Sequence, residues 1–347
     1  MTLDGQSLDN LISYSSLLDW WLNHNPELIN RISSSAISIC KQLDEISHRE
    51  ELTFGFEFHH YIPDRPADLL IYSDTSILRK YSSLPLPPWW NDYHNLIMNS
   101  HSIESVQFLK NNWLEFDYVS NQMKLNGIWQ SLSEKKKIYS YQSWLDLVKY
   151  LDPIIPDLDS DMNCLPLKQI IEHFSIPQQI GFMFGRNYKL KFMIQLKNSD
   201  QLLNFQQFII KQDNNLQLKF RPIVECLLQY GVKLKPGISF DINIANNELN
   251  PENISIEIHQ PHQLGRKLQP ETKSFINCLS PFDSFQLVEL QNFLDILPYG
   301  ESMPLNPFSK ASPLITNISR LNHLKFTLKS GSWQLKSYIK LVQTSLH

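Results

Sequence analysis

Glycine is scarce in this chain, ten residues in 347, and none of the ten builds a G-x-G-x-x-G or a P-loop. Those glycines are what let a backbone close around nucleotide phosphates, so kinase and nicotinamide readings lose their support. H-E-x-x-H and G-x-S-x-G are also missing, which removes the usual zinc protease and serine hydrolase. Cysteine is as sparse: Cys40, Cys164, Cys226 and Cys278 stand apart with no C-x-x-C pair. That spacing fits neither a zinc site nor a disulfide framework, and free thiols in a reducing compartment are expected.

Charge of one sign is lacking too. Lysine and arginine number 31 against 35 aspartates and glutamates, a net charge of −4. Nothing pulls the whole chain toward nucleic acid or an anionic membrane. No apolar run reaches the length of a membrane span. The N-terminal stretch carries aspartates and no basic region, unlike a signal peptide, and a cytoplasmic placement is expected. Asp157 to Asp161 starts like a calcium loop, but Met162 stands where the turn needs glycine and Lys168 where the loop needs glutamate, so an EF-hand is rejected.

What the chain does have is apolar bulk, 42% hydrophobic and 12% aromatic, and strands that alternate. In "YKLKFMIQLK", Leu190, Phe192 and Ile194 fall on one side, and Lys189, Lys191 and Gln195 on the other, as side chains do along a strand. The same split recurs. Phe54, Phe56 and Phe58 oppose Glu57 and His59. Leu114 and Phe116 oppose Glu115 and Asp117. Ile242 opposes Asp241, and Ile256 and Ile258 oppose Glu257 and His259. Leu324 and Phe326 oppose His323 and Lys325; Leu335 and Ile339 oppose Lys336 and Tyr338. Helical spacing marks the region from Leu8 to about Ile46, broken near Pro26, and the segments 133–151, 166–177, 199–212, 221–230, 271–279 and 284–297, with Ser199 or Asp200 as cap of the 199–212 helix. The prolines at 85, 87 and 88 predict an irregular loop, either a lid or a hydrophobic plug built on Trp89 and Trp90. A second irregular loop is predicted from Pro298 to Pro313.

Short connections between paired strands favour antiparallel neighbours, so the fold class is α+β. Residues 1–50 read as a helical segment packed on a single domain, 51–347. Two architectures fit. In one, an open sheet turns its polar face to water and the charges there need no function. In the other, the sheet closes into an antiparallel β-barrel with a polar lumen, surrounded by helices in repeated α-β-β-α units. Nine or ten candidate strands, and the exposed edges an open sheet this wide would leave, favour closure.

That pattern resembles the ABBA, or PT-barrel, prenyltransferases, over roughly residues 50–345. "KSY" at Lys336 to Tyr338 is similar to that family's K-x-Y strand element, and "GRNYKLK" at Gly185 to Lys191 to its strand-borne arginine and lysine. The resemblance implies transfer of an isoprenoid from an allylic diphosphate to an aromatic or peptide side-chain acceptor. It implies diphosphate contacts from Arg186, Lys189, Lys191, Lys325, Lys336 and Tyr338. A base is then needed for the acceptor: Glu115 beside Asp117 comes first, Glu57 with His59 second. Gln195, Asp241, Glu257 and His259 are further pocket candidates. No D-D-x-x-D is present; no cofactor is required, and magnesium is admissible without a motif to hold it. Two other readings stand beside this one: a different peptide-modifying enzyme using the carboxylate and histidine faces, and a non-catalytic module gripping a peptide or small anion.

Overall fold

In a computed structural model of the chain, the described residues are 13–45, 51–74, 86–99, 111–131, 169–170, 172–174, 177–186, 189–196, 198–212, 214–230, 236–243, 248–249, 254–259, 270–278, 284–296, 300–304, 314–329 and 332–346. The strands are β1 (Glu51–His59), β2 (Asp68–Asp74), β3 (Asn111–Val119), β4 (Gln122–Ser131), β5 (Gln179–Met183), β6 (Lys189–Gln195), β7 (Pro236–Asn243), β8 (Glu248–Leu249), β9 (Ser255–His259), β10 (Gly300–Pro304), β11 (Leu314–Lys329) and β12 (Ser332–Leu346). The helices are α1 (Tyr14–His24), α2 (Ser34–Asp44), α3 (Pro88–Asn99), α4 (Ser199–Gln212), α5 (Asn214–Tyr230), α6 (Pro270–Cys278) and α7 (Ser284–Ile296), with a 3-10 turn at Pro26–Arg31.

The sheet closes. Pairing runs β11–β12–β1–β2–β3–β4–β5–β6–β7, and β9 bridges β7 back to β11. Every pair is antiparallel, and β8 and β10 hang off the ring. Closure leaves the ten ring strands without free edges. It also makes the period-2 alternation of each strand mean one thing all round: apolar out, polar in.

The apolar outer face is the core, because helices cover it. Phe54, Phe56 and Phe58 are fully buried. The Trp21 indole of α1 stacks on Phe56 with centroids 5.5 Å apart, and Phe293 of α7 meets Phe58 at 4.6 Å. Burying one such ring contributes about 1.5–3 kcal/mol. Local signals hold the helices in place. Ser13 accepts from the Ser16 amide at 3.0 Å and Ser33 from the Ala36 amide at 3.1 Å, each an N-cap. Asp44, at the end of α2, accepts from the Tyr14 and Ser15 amides, fastening the start of α1 to the end of α2.

Several expectations need correction. Proline does not keep the stretch around Trp89 and Trp90 irregular: Pro88 opens α3, where a missing amide costs nothing, while Pro85 lies outside the described residues. The Trp89–Trp90 pair does plug: Trp90 is buried and Trp89 stacks on Phe184 at 4.4 Å. The 298–313 stretch contains β10, paired to β11. α4 is capped by Asn198, whose Oδ1 accepts from the Gln201 amide at 3.0 Å, rather than by Ser199 or Asp200. α5 begins seven residues before Arg221 and carries Pro222 inside it. Cys226 of α5 and Cys278 of α6 form a disulfide, with Cα atoms 5.9 Å apart, against the expectation of free thiols. Cys40 is free and buried. The helix expected over 133–151 lies outside the described residues, as do positions 166–168, 171, 175 and 176 of the one expected over 166–177. Among the described residues, no helix is long and apolar enough to cross a membrane.

Candidate functional site

The lumen is built in cross-strand rows. Strand register places His259, His323, Tyr338 and Glu57 side by side across β9, β11, β12 and β1. The next row reads Glu257, Lys325, Lys336 and His59. Inside lies a hollow lined by Gly55, Leu70, Trp113, Trp129, Gln179, Glu257, Asn322, His323, Lys325, Tyr338, Ile339 and Lys340.

One flank is dense with ion pairs. Arg186, from the β5–β6 turn, donates through Nε to Asp117 Oδ2 at 2.6 Å and through Nη2 to Asp117 Oδ1 and to Glu115 Oε1, the latter at 2.5 Å. The Trp129 indole donates to the other Glu115 oxygen at 2.6 Å. Lys336 donates to Glu57 Oε1 at 2.5 Å, and His59 Nε2 lies 3.2 Å from the same oxygen and 2.7 Å from Asp68. The other His59 ring nitrogen meets the Tyr61 hydroxyl at 2.8 Å, and Arg65 grips Asp68 with both Nη atoms. Burial presses the Glu57 and Glu115 pKa values upward, but the attached cations outweigh it: Lys336 and His59 hold Glu57 below the usual carboxylate range, and Arg186 and Lys191 hold Glu115 there. For Asp117 burial, helped by repulsion from Glu115, prevails and its pKa is raised. Burial leads in lowering the His59 pKa, with Lys336 adding to it.

Across the lumen, Glu257 accepts from Lys325 at 2.9 Å and from Ser239 at 2.5 Å, with His259 Nε2 at 3.4 Å. Lys191 is the least committed cation of those predicted: Asp241 stands 3.9 Å away. Burial, countered by Asp241, pushes its pKa down to about 8. Lys191 and Lys325 lie 5.9 and 5.7 Å from the centroid of the Trp129 ring, cation–π distances. Tyr338 stacks on His323 with centroids 3.8 Å apart.

The structure therefore brings Glu57, His59, Glu115, Asp117, Arg186, Lys191, Asp241, Glu257, His259, Lys325, Lys336 and Tyr338 into one lumen. Gln195 stands opposite Gly237, which pairs with Glu257, so it extends the Glu257–Lys325–Lys336–His59 row at the end of β6. The Lys189 side chain lies outside the described residues. The alternative of solvated strand lysines is overturned for Lys191 and Lys325, whose side chains are only 13% and 8% exposed.

Closed topology and helical cladding are the shape expected of a PT barrel. A solved structure of similar fold is the 5-dimethylallyl tryptophan synthase from Streptomyces coelicolor, in complex with DMASPP and Trp: 8% identity, TM-score 0.48, 94% of each chain covered. No family model and no curated protein matches this chain in sequence.

Sequence reasoning missed Trp129, Asn126 and all of β4, although Trp129 is central to the lumen. The reason is a β-bulge. Glu115 pairs with Gly127 and Phe116 with Leu125, leaving Asn126 as an extra residue. The outward set shifts phase there, from Met123 and Leu125 to Ile128, and the alternation vanishes from the sequence. The available signal was the turn before it, where Ser120 and Asn121 both take positive φ, as a two-residue hairpin requires. Tyr61 and Arg65 were missed because they act from the β1–β2 connection, and Asp68 because it is the first residue of β2. Glu57, His59 and Asp68 bring ligand-capable atoms within 4.8 Å of one another. Lys336 and Arg65 already neutralise those carboxylates, which disfavours a divalent cation there.

Proposed function

We propose that the lumen is a prenyl-transfer chamber, taking an allylic diphosphate and an aromatic or peptide acceptor. The observation that carries this is convergence: Lys191, Lys325 and Lys336, from three different strands, all project into one barrel whose hollow is walled by Trp113, Trp129 and Tyr338. Ionisation of an allylic C–O bond yields a diphosphate anion and a carbocation. Lysines in a site of restricted water stabilise the anion, and aromatic faces stabilise the cation without trapping it as water would. Attack by the acceptor forms the new bond to carbon and releases one proton.

Glu57, rather than Glu115, is the better acceptor for that proton. Both Glu115 oxygens are occupied, by Arg186 and by the Trp129 indole. Glu57 is held in its ionised form largely by Lys336. An incoming diphosphate competes for the Lys336 ammonium. As that ammonium turns away, burial acts on Glu57 against only the weaker pull of His59 and Arg186, and strengthens it as a base. The leaving group thus arms the base that completes the reaction.

The test is calorimetry with dimethylallyl and geranyl diphosphate, with and without magnesium, followed by mass spectrometry of aromatic acceptors incubated with each. Micromolar binding and a mass gain of one isoprenyl unit are expected. Glu57→Gln is expected to keep diphosphate binding and lose turnover. Absence of binding by both diphosphates overturns the proposal.

A further inference from the structure

A second β-bulge sits in the wall of the hollow. Leu321 pairs with Ile339 and His323 with Tyr338, so Asn322 is an extra residue in β11. The bulge sends two successive side chains, Asn322 and His323, to the lining of the same hollow, where regular alternation would send one. The first bulge works alike: its extra residue, Asn126, donates to Asp117 Oδ2 at 2.9 Å and so orients a member of the Arg186 cluster. The Asn322 amide stands 3.0 Å from His323 Nδ1. An amide NH2 can only donate, so Nδ1 accepts and the ring proton resides on Nε2.

The His323 ring is fixed on its remaining sides. It stacks on Tyr338 at 3.8 Å with 21° between planes, and His259 lies 5.2 Å away. Its Nε2 has no hydrogen-bond partner among the described residues. That sets it apart from His59, both of whose ring nitrogens are engaged. Burial keeps the imidazole neutral, with a pKa pushed down to about 3.

We propose that His323 holds the acceptor, donating from Nε2–H to an oxygen on an aromatic ring laid in the hollow beside the His323–Tyr338 stack. The chemical class is a hydroxylated aromatic. An imidazole that stays neutral at working pH is a fixed donor to such an oxygen, and the stack offers a planar wall for the ring. The inference rests on the lumen being the substrate chamber, and it needs no diphosphate to hold.

The experiment titrates N-acetyl-tyrosine amide and N-acetyl-phenylalanine amide into the wild type, His323→Phe and His323→Gln, with dimethylallyl diphosphate titrated into the same samples. The wild type is expected to prefer the phenol by about tenfold, the worth of one hydrogen bond in a closed site. His323→Phe, which keeps the stack, is expected to erase that preference, and His323→Gln to restore part of it. A wild type that binds neither amide, or does not discriminate, overturns the inference. So does a His323→Phe variant that still discriminates. Phenol preference without diphosphate binding sinks the transfer reaction and leaves His323 its role. Should both variants misfold, 15N-histidine spectra of the wild type decide: the His323 Nε2 resonance shifts with the tyrosine amide and not the phenylalanine amide, and no shift overturns the proposal.

Discussion

The two flanks of the lumen solve the problem of burying polar groups differently. On the side of β1, β3 and the β5–β6 turn, every functional group named is clamped: Arg186 to two carboxylates, Lys336 to Glu57, His59 to Asp68 and Tyr61. On the side of β11 and β12, His323 and Tyr338 rest on each other's faces, and one ring nitrogen of His323 has no hydrogen-bond partner among the described residues. The clamped flank costs a great deal to disturb and is set before a ligand arrives. The stacked flank costs little to change and is where the proposed acceptor would find an unspent hydrogen bond. On that proposal, stability and recognition are separated across one cavity.

Breaking the clamp is expected to produce the largest effect. Arg186→Ala leaves Glu115 and Asp117 buried without their cation, and loss of one partner of a buried pair costs about 3–5 kcal/mol. Thermal melts at neutral pH measure it; a loss under about 1 kcal/mol would mean that the carboxylates are solvated and the clamp is a fiction.

Gly181→Ala attacks the same flank through shape. A Cβ at Gly181 would stand 2.9 Å from the Trp129 ring and 2.8 Å from Met183 Cε. The indole must move, and its bond to Glu115 with it. Overpacking of this kind costs about 1–3 kcal/mol. Tryptophan fluorescence should shift along with the melting temperature; an unmoved spectrum would show that the indole is not held there.

Much of this division was legible in the sequence, for a physical reason. Alternation put Glu57, Glu115, Lys325 and Lys336 on the polar faces of their strands, and closure turns those faces into a common interior. It could not show pairing across strands, because register is set by turns and bulges rather than by composition. That is why Glu115 read as the better base until Arg186 and Trp129 were found on its two oxygens. Bulges defeated the reading outright at Asn126. The disulfide was hidden because Cys226 and Cys278 are 52 residues apart and meet only when α5 and α6 are laid side by side.

Acid should weaken the ion pairs of the lumen, those of the clamped flank together with Glu257 and Lys325 across from it. The folded pKa values of Glu57, Glu115 and Glu257 are depressed. A depressed carboxylate stabilises the fold fully above its unfolded value, about 4.3 for glutamate, and that contribution is lost as pH falls through the folded value. Asp117, with a raised pKa, works in the opposite sense. Stability is therefore expected to fall below about pH 4.3, and Glu57→Gln to flatten that fall. Chemical denaturation at a series of pH values checks both; equal slopes in the wild type and variant would show that Glu57 titrates normally.

The smallest effect belongs to the stacked flank, and it is the most informative. His323→Phe keeps an aromatic ring against Tyr338 and removes two nitrogens, of which only Nδ1 has a partner among the described residues. One neutral hydrogen bond is worth about 0.5–1.5 kcal/mol, and a phenyl ring is easier to bury than an imidazole, so the two changes offset each other. Denaturant titration is expected to move by less than about 1 kcal/mol, a fraction of the Arg186→Ala effect. A loss as large as that of Arg186→Ala would mean that Nε2 is engaged in the folded protein after all, and the contrast between the two flanks would collapse.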